Sequence, residues 1–154
     1  MSESPNRIVF TSREPFDLER IGAAAVYCSD GRFGEQIDEF VQVALGLPRY
    51  DRVVMPGGPA CLAGHFSVYF EQQSVRRNLA FLIEAHGLTR VLLIAHQDCA
   101  YYTHRLKVPL DKLEPAQRAD LEKAASFVAS IDASLQVETY FARKASGGIQ
   151  FEVV

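Results

Sequence analysis

The sequence predicts a single α/β domain, with a mostly parallel central β-sheet flanked by helices. Its 154 residues make about one domain, and 48% of them are apolar, enough to fill a core. Two short continuous apolar runs, residues 21–27 (IGAAAVY) and 90–95 (RVLLIA), are typical of strands buried on both faces. Helical patterns separate the strand patterns along the chain, and such alternation favours a sheet built through crossover connections.

Three further strands complete the predicted sheet. A short strand is predicted at residues 53–55 and ends at the Pro-Gly-Gly-Pro breaker of residues 56–59. Residues 137–141 alternate like a strand. Residues 149–154 are expected to pair with that strand as a hairpin across the Ser-Gly-Gly of residues 146–148.

Three helices are predicted between these strands. Apolar residues recur at helical spacing over residues 37–45, 75–86 and 121–131. Gly46 and Gly87 follow the first two of these segments, and a glycine in that position commonly ends a helix.

Residues 1–20 form a separate segment before the domain of residues 21–154. They are mostly polar and contain Pro5 and Pro15, which interrupt any long helix or strand. We therefore expect an N-terminal arm, ordered by a partner subunit.

Composition excludes several classes of function. The net charge of −3 gives no sign of the basic face that nucleic-acid binding requires. No apolar run approaches the roughly 20 residues of a membrane span, and residues 1–7 lack the apolar segment of a signal peptide. A cytoplasmic protein is therefore expected. In a reducing compartment, three cysteines favour metal ligands, catalytic thiols or buried small residues over disulfides.

Polar residues follow two of the predicted buried strands directly. Residues 28–32 (CSDGR) follow the first, and residues 96–99 (HQDC) follow the third. If these strands are neighbours, their ends lie about 4.8 Å apart, which brings two thiols and an imidazole together. Two cysteines and one histidine suit zinc and leave a fourth position for water. The alternative is that the cysteines are buried small residues and the histidine is a hydrogen-bonded core residue.

These two motifs resemble those of the β-class carbonic anhydrases. Cys-x-Asp-x-Arg after the first strand and His-x-x-Cys after a later one occur in the same order in that family. The resemblance extends from about Ala23 to Val154. Each motif is short, and their order, separation and placement at strand ends give the match its specificity.

The resemblance implies a zinc site and a reaction. In the family, zinc is bound by the residues that correspond to Cys28, His96 and Cys99, and a zinc-bound hydroxide converts carbon dioxide to bicarbonate. Asp30 and Arg32 correspond to an ion pair beside the metal and are the implied catalytic residues. In some members the aspartate becomes the fourth zinc ligand in a closed state, so Asp30 has this second implied role. Relatives pair through N-terminal arms and sheet edges, which implies a homodimer or a higher homo-oligomer.

The sequence departs from the family pattern beside the second motif. A glycine usually follows the second cysteine, whereas this chain has Ala100, followed by Tyr101 and Tyr102. The turn after the second strand commonly contains Asn-Ala-Gly, whereas residues 55–59 read Met-Pro-Gly-Gly-Pro. The added methyl group and phenols are expected to narrow the space for substrate.

Four other residues are candidates for secondary roles. Cys61 is expected to be a buried small residue. His65 and His104 are candidates for proton transfer, because histidine is the side chain most often used for it, although lone histidines are more often surface or capping residues. Asp98 either hydrogen-bonds its own loop or faces solvent.

The main functional hypothesis is therefore a zinc lyase that hydrates a small-molecule substrate, carbon dioxide. Three alternatives remain open: hydrolysis of carbonyl sulfide or carbon disulfide at the same metal, a non-catalytic zinc module, and a thiol redox protein. The redox alternative is the weakest, because the sequence contains no Cys-x-x-Cys pair.

Overall fold

The computed structural model of the protein describes residues 6–154, so residues 1–5 of the expected arm lie outside it. Five strands form one sheet: β1 (Ala23–Cys28), β2 (Asp51–Met55), β3 (Arg90–His96), β4 (Gln136–Ala145) and β5 (Gly148–Val153). The α-helices are α1 (Gly34–Glu39), α2 (Tyr69–His86), α3 (Ala100–His104) and α4 (Leu113–Ala129). Within residues 6–154, no helix has the length and apolar character that a membrane crossing needs.

The sheet is mixed, with strand order β2-β1-β3-β4-β5. The first four strands of this order pair in parallel, and β5 pairs antiparallel with β4. This confirms the predicted α/β class and the predicted hairpin, in which Ala145 pairs with Gly148. It also confirms that the strands before the two motifs are neighbours, since Tyr27 pairs with Ile94. Both motifs therefore emerge at the same edge of the sheet.

Side-chain alternation gives the sheet two buried faces. Val26 of β1 and Leu93 of β3 lie in the core cluster that includes residues of α2 and α4. Tyr27 and Ile94, one position further along, lie in the opposite cluster with Ile37 of α1. Because side chains of a strand point alternately to opposite faces, a strand covered on both faces must be apolar throughout. This explains the continuous apolar runs.

The three predicted helices agree with the structure in position, but shorter helical segments were not predicted. The first predicted helix is α1, which continues as a π-helix over Phe40–Ala44. Gly87 ends α2 in a left-handed conformation with φ of +66°. The sequence prediction missed α3, because five residues are too few to show a helical period. It also missed the 3₁₀ turn Gly58–Leu62, where the Pro-Gly-Gly-Pro segment indicated only a chain break.

The turn after β2 packs tightly against the end of β1. Gly58 has φ of +53°, and a Cβ atom added there would lie 2.7 Å from the backbone nitrogen of Cys28 and 2.8 Å from the carbonyl carbon of Tyr27. Real Cβ atoms do not approach backbone this closely, so only glycine allows this contact. The contact holds the turn beside the point where Cys28 leaves the sheet.

We expect Gly58→Ala to destabilise the fold more than Gly64→Ala. Gly64 is also left-handed, with φ of +84°, but an added Cβ there would meet nothing within 4 Å. The control Gly64→Ala should therefore lower the free energy of unfolding only by the left-handed penalty of about 1–2 kcal/mol. Gly58→Ala should cost about 1–3 kcal/mol more, because the backbone must move. Urea unfolding with a chelator present measures both free energies, and equal losses would contradict the tight contact.

Candidate metal centre

Two sulfur atoms and one imidazole meet at the carboxyl edge of the sheet. Cys28 is the last residue of β1, His96 is the last residue of β3, and Cys99 directly precedes α3. All three are buried, and the ligand atoms that they offer lie within 4.8 Å of one another. The two Sγ atoms are 3.9 Å apart. A tetrahedral zinc with Zn–S bonds of about 2.3 Å separates two sulfurs by about 3.8 Å, so this group could hold a metal ion without rearrangement of the thiols.

The imidazole of His96 is oriented by its neighbours. Nδ1 lies 2.8 Å from the backbone oxygen of Gln97, to which it can donate its proton. This hydrogen bond leaves the lone pair on Nε2, a buried atom with no hydrogen-bond partner among the described residues. The ring of Phe33 packs against the imidazole with centroids 4.2 Å apart. A buried, unpaired nitrogen beside two thiols has the chemistry of a metal ligand.

The two thiols perturb each other strongly. The pKa of Cys28 is lowered, chiefly because the Cys99 thiol can donate to it and also because the His96 imidazole and backbone amides lie near its sulfur. The pKa of Cys99 is raised, because its proton is shared with Cys28 and because it is buried. These opposite shifts favour one proton shared between the two sulfurs, whereas a divalent cation in place of that proton would favour two thiolates.

Asp30 is held beside the centre by Arg32. The guanidinium Nε lies 3.0 Å from Oδ1 of Asp30, and a terminal nitrogen lies 2.7 Å from Oδ2. This two-point interaction lowers the pKa of Asp30 to about 2. The side chain of Arg32 is 81% exposed, whereas that of Asp30 is 18% exposed. The exposed Arg32 guanidinium thus fixes the orientation of the partly buried Asp30 carboxylate.

A cavity of about 380 Å³ opens over the ligand atoms. Its walls come from both motifs, from the turn after β2 and from α3. The lining residues are Cys28, Ser29, Asp30, Pro56, Gly57, His96, Cys99, Ala100, Tyr101, His104 and Arg105. The candidate ligands and the Asp30 carboxylate therefore share one solvent-connected space that a small molecule can enter.

Comparison with known proteins assigns the family. A family model described as "Putative carbonic anhydrase" matches residues 19–154. The chain belongs to this carbonic anhydrase family. No curated protein shows significant similarity to it in sequence.

Solved structures show that this family member has the β-carbonic anhydrase fold. A carbonic anhydrase from Glaciozyma antarctica aligns with a TM-score of 0.57 and 17% identity, over 86% of this chain and 83% of that chain. One of two tetrameric β-carbonic anhydrases from Sordaria macrospora aligns with a TM-score of 0.50 and 13% identity, over 86% of this chain and 81% of that chain. The apo form of a carbon disulfide hydrolase aligns with a TM-score of 0.52 and 13% identity, over 85% of this chain and 78% of that chain.

In this carbonic anhydrase family member, the two histidines considered for proton transfer occupy different places. His104 lies on α3 and lines the cavity, so its role in proton transfer stays a prediction. His65 lies outside the residues that line this cavity, and its Nε2 is 2.6 Å from Oδ2 of the buried Asp120.

The structure also resolves the other secondary candidates. Cys61 is buried, as expected, with its Sγ 3.6 Å from the backbone oxygen of Gly58. Asp98 has φ of +57° and pairs with the exposed Lys144 at 2.7 Å. Tyr102 is buried and its hydroxyl donates to Asp120 at 2.8 Å, so only one of the two phenols, that of Tyr101, contributes to the cavity wall.

Sequence reasoning missed two residues that position His96. Phe33 packs on its ring, and Gln117 of α4 donates to its backbone oxygen at 2.7 Å. Phe33 directly follows the first motif, and an aromatic residue in that place is a usable signal. Gln117 is a buried polar residue on a helix, and nothing in its local sequence indicates its partner.

We expect Cys28→Ser and Cys99→Ser each to lose most of the bound divalent metal, because a serine hydroxyl replaces a thiolate ligand. Cys61→Ser is the matched control. Burial raises the pKa of Cys61 to about 11, and this thiol lies outside the cavity lining. Elemental analysis of protein purified without added metal measures the content. Equal metal in all three variants would show that the thiols at the strand ends do not bind it.

Proposed function

We propose that the chain is a zinc-dependent lyase that reversibly hydrates carbon dioxide to bicarbonate. The observation that carries this proposal is the unpaired Nε2 of buried His96, which lies with two thiol sulfurs at the base of a cavity. Membership of the carbonic anhydrase family supports the reaction. The cavity beside an ionised carboxylate admits a substrate of the size of carbon dioxide.

The donor set fits zinc better than a hard cation. Thiolate and imidazole are ligands that zinc prefers, whereas magnesium and calcium prefer oxygen. Cys28, Cys99 and His96 would hold the ion, and two thiolates would balance its double charge. When bound, zinc supplies the Lewis acidity that ionises water near neutral pH and so generates the nucleophile for carbon dioxide.

Asp30 and Arg32 would orient the reacting groups. Because the pKa of Asp30 is lowered to about 2, its carboxylate stays ionised at neutral pH and acts as a hydrogen-bond acceptor, not as an acid. It can accept a hydrogen bond from water in the cavity and thus fix that water's orientation. The Arg32 guanidinium keeps the carboxylate in this position.

Hydrolysis of carbon disulfide or carbonyl sulfide is the second candidate. One structural neighbour is a carbon disulfide hydrolase, and the same donor set and cavity suit these linear triatomic molecules. Hydrogen sulfide release from either compound, measured beside hydration on the same preparation, distinguishes the substrates.

We expect Arg32→Ala to keep zinc near the wild-type content and to lower carbon dioxide hydration at least tenfold, about 1.4 kcal/mol in barrier. Without its partner, Asp30 is free to turn toward the metal and occupy the position that the reaction requires. Asp30→Ala should also keep zinc and lose activity, but should leave that position open. Stopped-flow kinetics measures the hydration activity, elemental analysis the zinc content, and X-ray absorption the coordination of the metal.

Arg90→Ala is the control for loss of an ion pair away from the metal site. Arg90 pairs with Glu138 at 2.8 Å and lies at the first residue of β3, at the opposite end of the strand from His96. This variant should keep both zinc and activity. Wild-type protein that contains zinc but shows no hydration at pH 8–9 would contradict the lyase, and the non-catalytic zinc module would then be favoured.

We also infer that the protein is a homodimer or a higher homo-oligomer. Exposed apolar side chains on the N-terminal arm support this inference: Ile8, Val9, Phe10, Phe16 and Leu18 are each at least 80% exposed. A second exposed pair consists of Phe66, in the 3₁₀ turn before α2, and Phe70, in the first turn of α2. Solvated apolar surface of this kind is typical of an interface, and one solved neighbour is described as tetrameric.

We expect light scattering at micromolar concentration to give at least twice the 17.1 kDa chain mass. Removal of residues 1–20 should shift the assembly toward the monomer, because the exposed apolar side chains of the arm are lost with it. A monomer mass for the full chain would contradict the inference.

A further inference from the structure

Tyr101 separates the metal-site cavity from a larger neighbouring groove. The groove has a volume of about 630 Å³ and lies between β2 and α2. Pro56 and Tyr101 line both the groove and the 380 Å³ cavity over the candidate ligands. The Tyr101 ring also packs against two core clusters, one that contains Cys28 and Cys99 and one that contains Cys61. It therefore stands in the partition between the two spaces.

The turn after β2 is shaped to receive this ring. Gly57 has φ of +80°, and a Cβ atom added there would lie 2.7 Å from Cγ of Tyr101. A side chain at position 57 would thus displace the ring. The left-handed backbone and the absence of a side chain together let the ring lie directly on the turn.

The short helix α3 sends its two tyrosines in different directions. Successive helical residues are about 100° apart, so neighbours in sequence do not share a face. Tyr102 points into the core and donates to Asp120. Tyr101 instead lies over Gly57 at the cavity. Only one of the two tyrosines can therefore control the size of the reaction space.

We propose that Tyr101 is a specificity-determining residue, a wall that closes the metal-site cavity off from the groove between β2 and α2. This inference rests on the proposed function, since it assumes a metal with one open position. Truncation of the ring joins the cavity to the groove and gives room to ligands that extend beyond the metal. The groove also contains the polar side chains of Arg52, Glu71, Ser74 and Asn78, so a larger polar carbonyl compound would find partners there.

The test compares a small and an extended ligand on the cobalt-loaded protein. Imidazole and 4-phenylimidazole bind an open metal position through the same nitrogen, and the cobalt absorption spectrum reports both. Wild type and Tyr101→Phe, which keeps the ring, should bind imidazole and should bind 4-phenylimidazole only weakly. Tyr101→Ala should bind imidazole with unchanged affinity and 4-phenylimidazole with a Kd at least about tenfold lower than wild type.

Tyr101→Leu, which keeps apolar packing but shortens the side chain, gives the same comparison if the alanine variant does not fold. A result in which all variants bind imidazole, and wild type and the shortened variants bind 4-phenylimidazole with equal affinity, would contradict the proposed role of Tyr101. That result would leave the proposed function intact. If imidazole changes the cobalt spectrum of no variant, the metal has no open position, and both the wall and the lyase are wrong.

Discussion

The sulfur atoms of Cys28 and Cys99 lie 3.9 Å apart in a buried site, and most other features of this edge of the sheet follow from that contact. Two thiolates at this separation repel each other by about 4 kcal/mol at an effective dielectric constant near 20. The metal-free protein must therefore retain a proton between them, whereas a divalent cation converts the repulsion into attraction. His96, with its free nitrogen facing the same space, completes a donor set that favours the cation.

The fold brings these atoms together through the sheet rather than through local sequence. Parallel pairing of β1 with β3 sets Cys28 beside the end of the strand that carries His96. Gly58 lets the turn after β2 press against the backbone of Cys28, and Gly57 lets the same turn support Tyr101. The two adjacent glycines therefore have different roles: Gly58 sets the position of the candidate ligand Cys28, and Gly57 sets the position of the Tyr101 ring.

The sequence was sufficient to predict the sheet and the convergence of Cys28, His96 and Cys99. Continuous apolar runs identify strands buried on both faces, and residues that follow such strands must lie at one edge. The packing around the site could not be predicted in this way. Tyr101 faces the cavity, whereas Tyr102 faces Asp120. This difference depends on the rotation of a five-residue helix about its axis, and a helix this short gives no periodic pattern in the sequence. The contact of Gln117 with His96 depends on how α4 packs against the sheet.

X-ray absorption at the zinc edge of the wild-type protein, combined with elemental analysis, tests the central claim most directly. We expect one zinc per chain, with two sulfur ligands at about 2.3 Å and one imidazole nitrogen at about 2.0 Å. One further light-atom ligand should complete the shell. A metal-free protein, or a zinc with fewer than two sulfur ligands, would contradict the account, because Cys28 and Cys99 would then not form the metal centre.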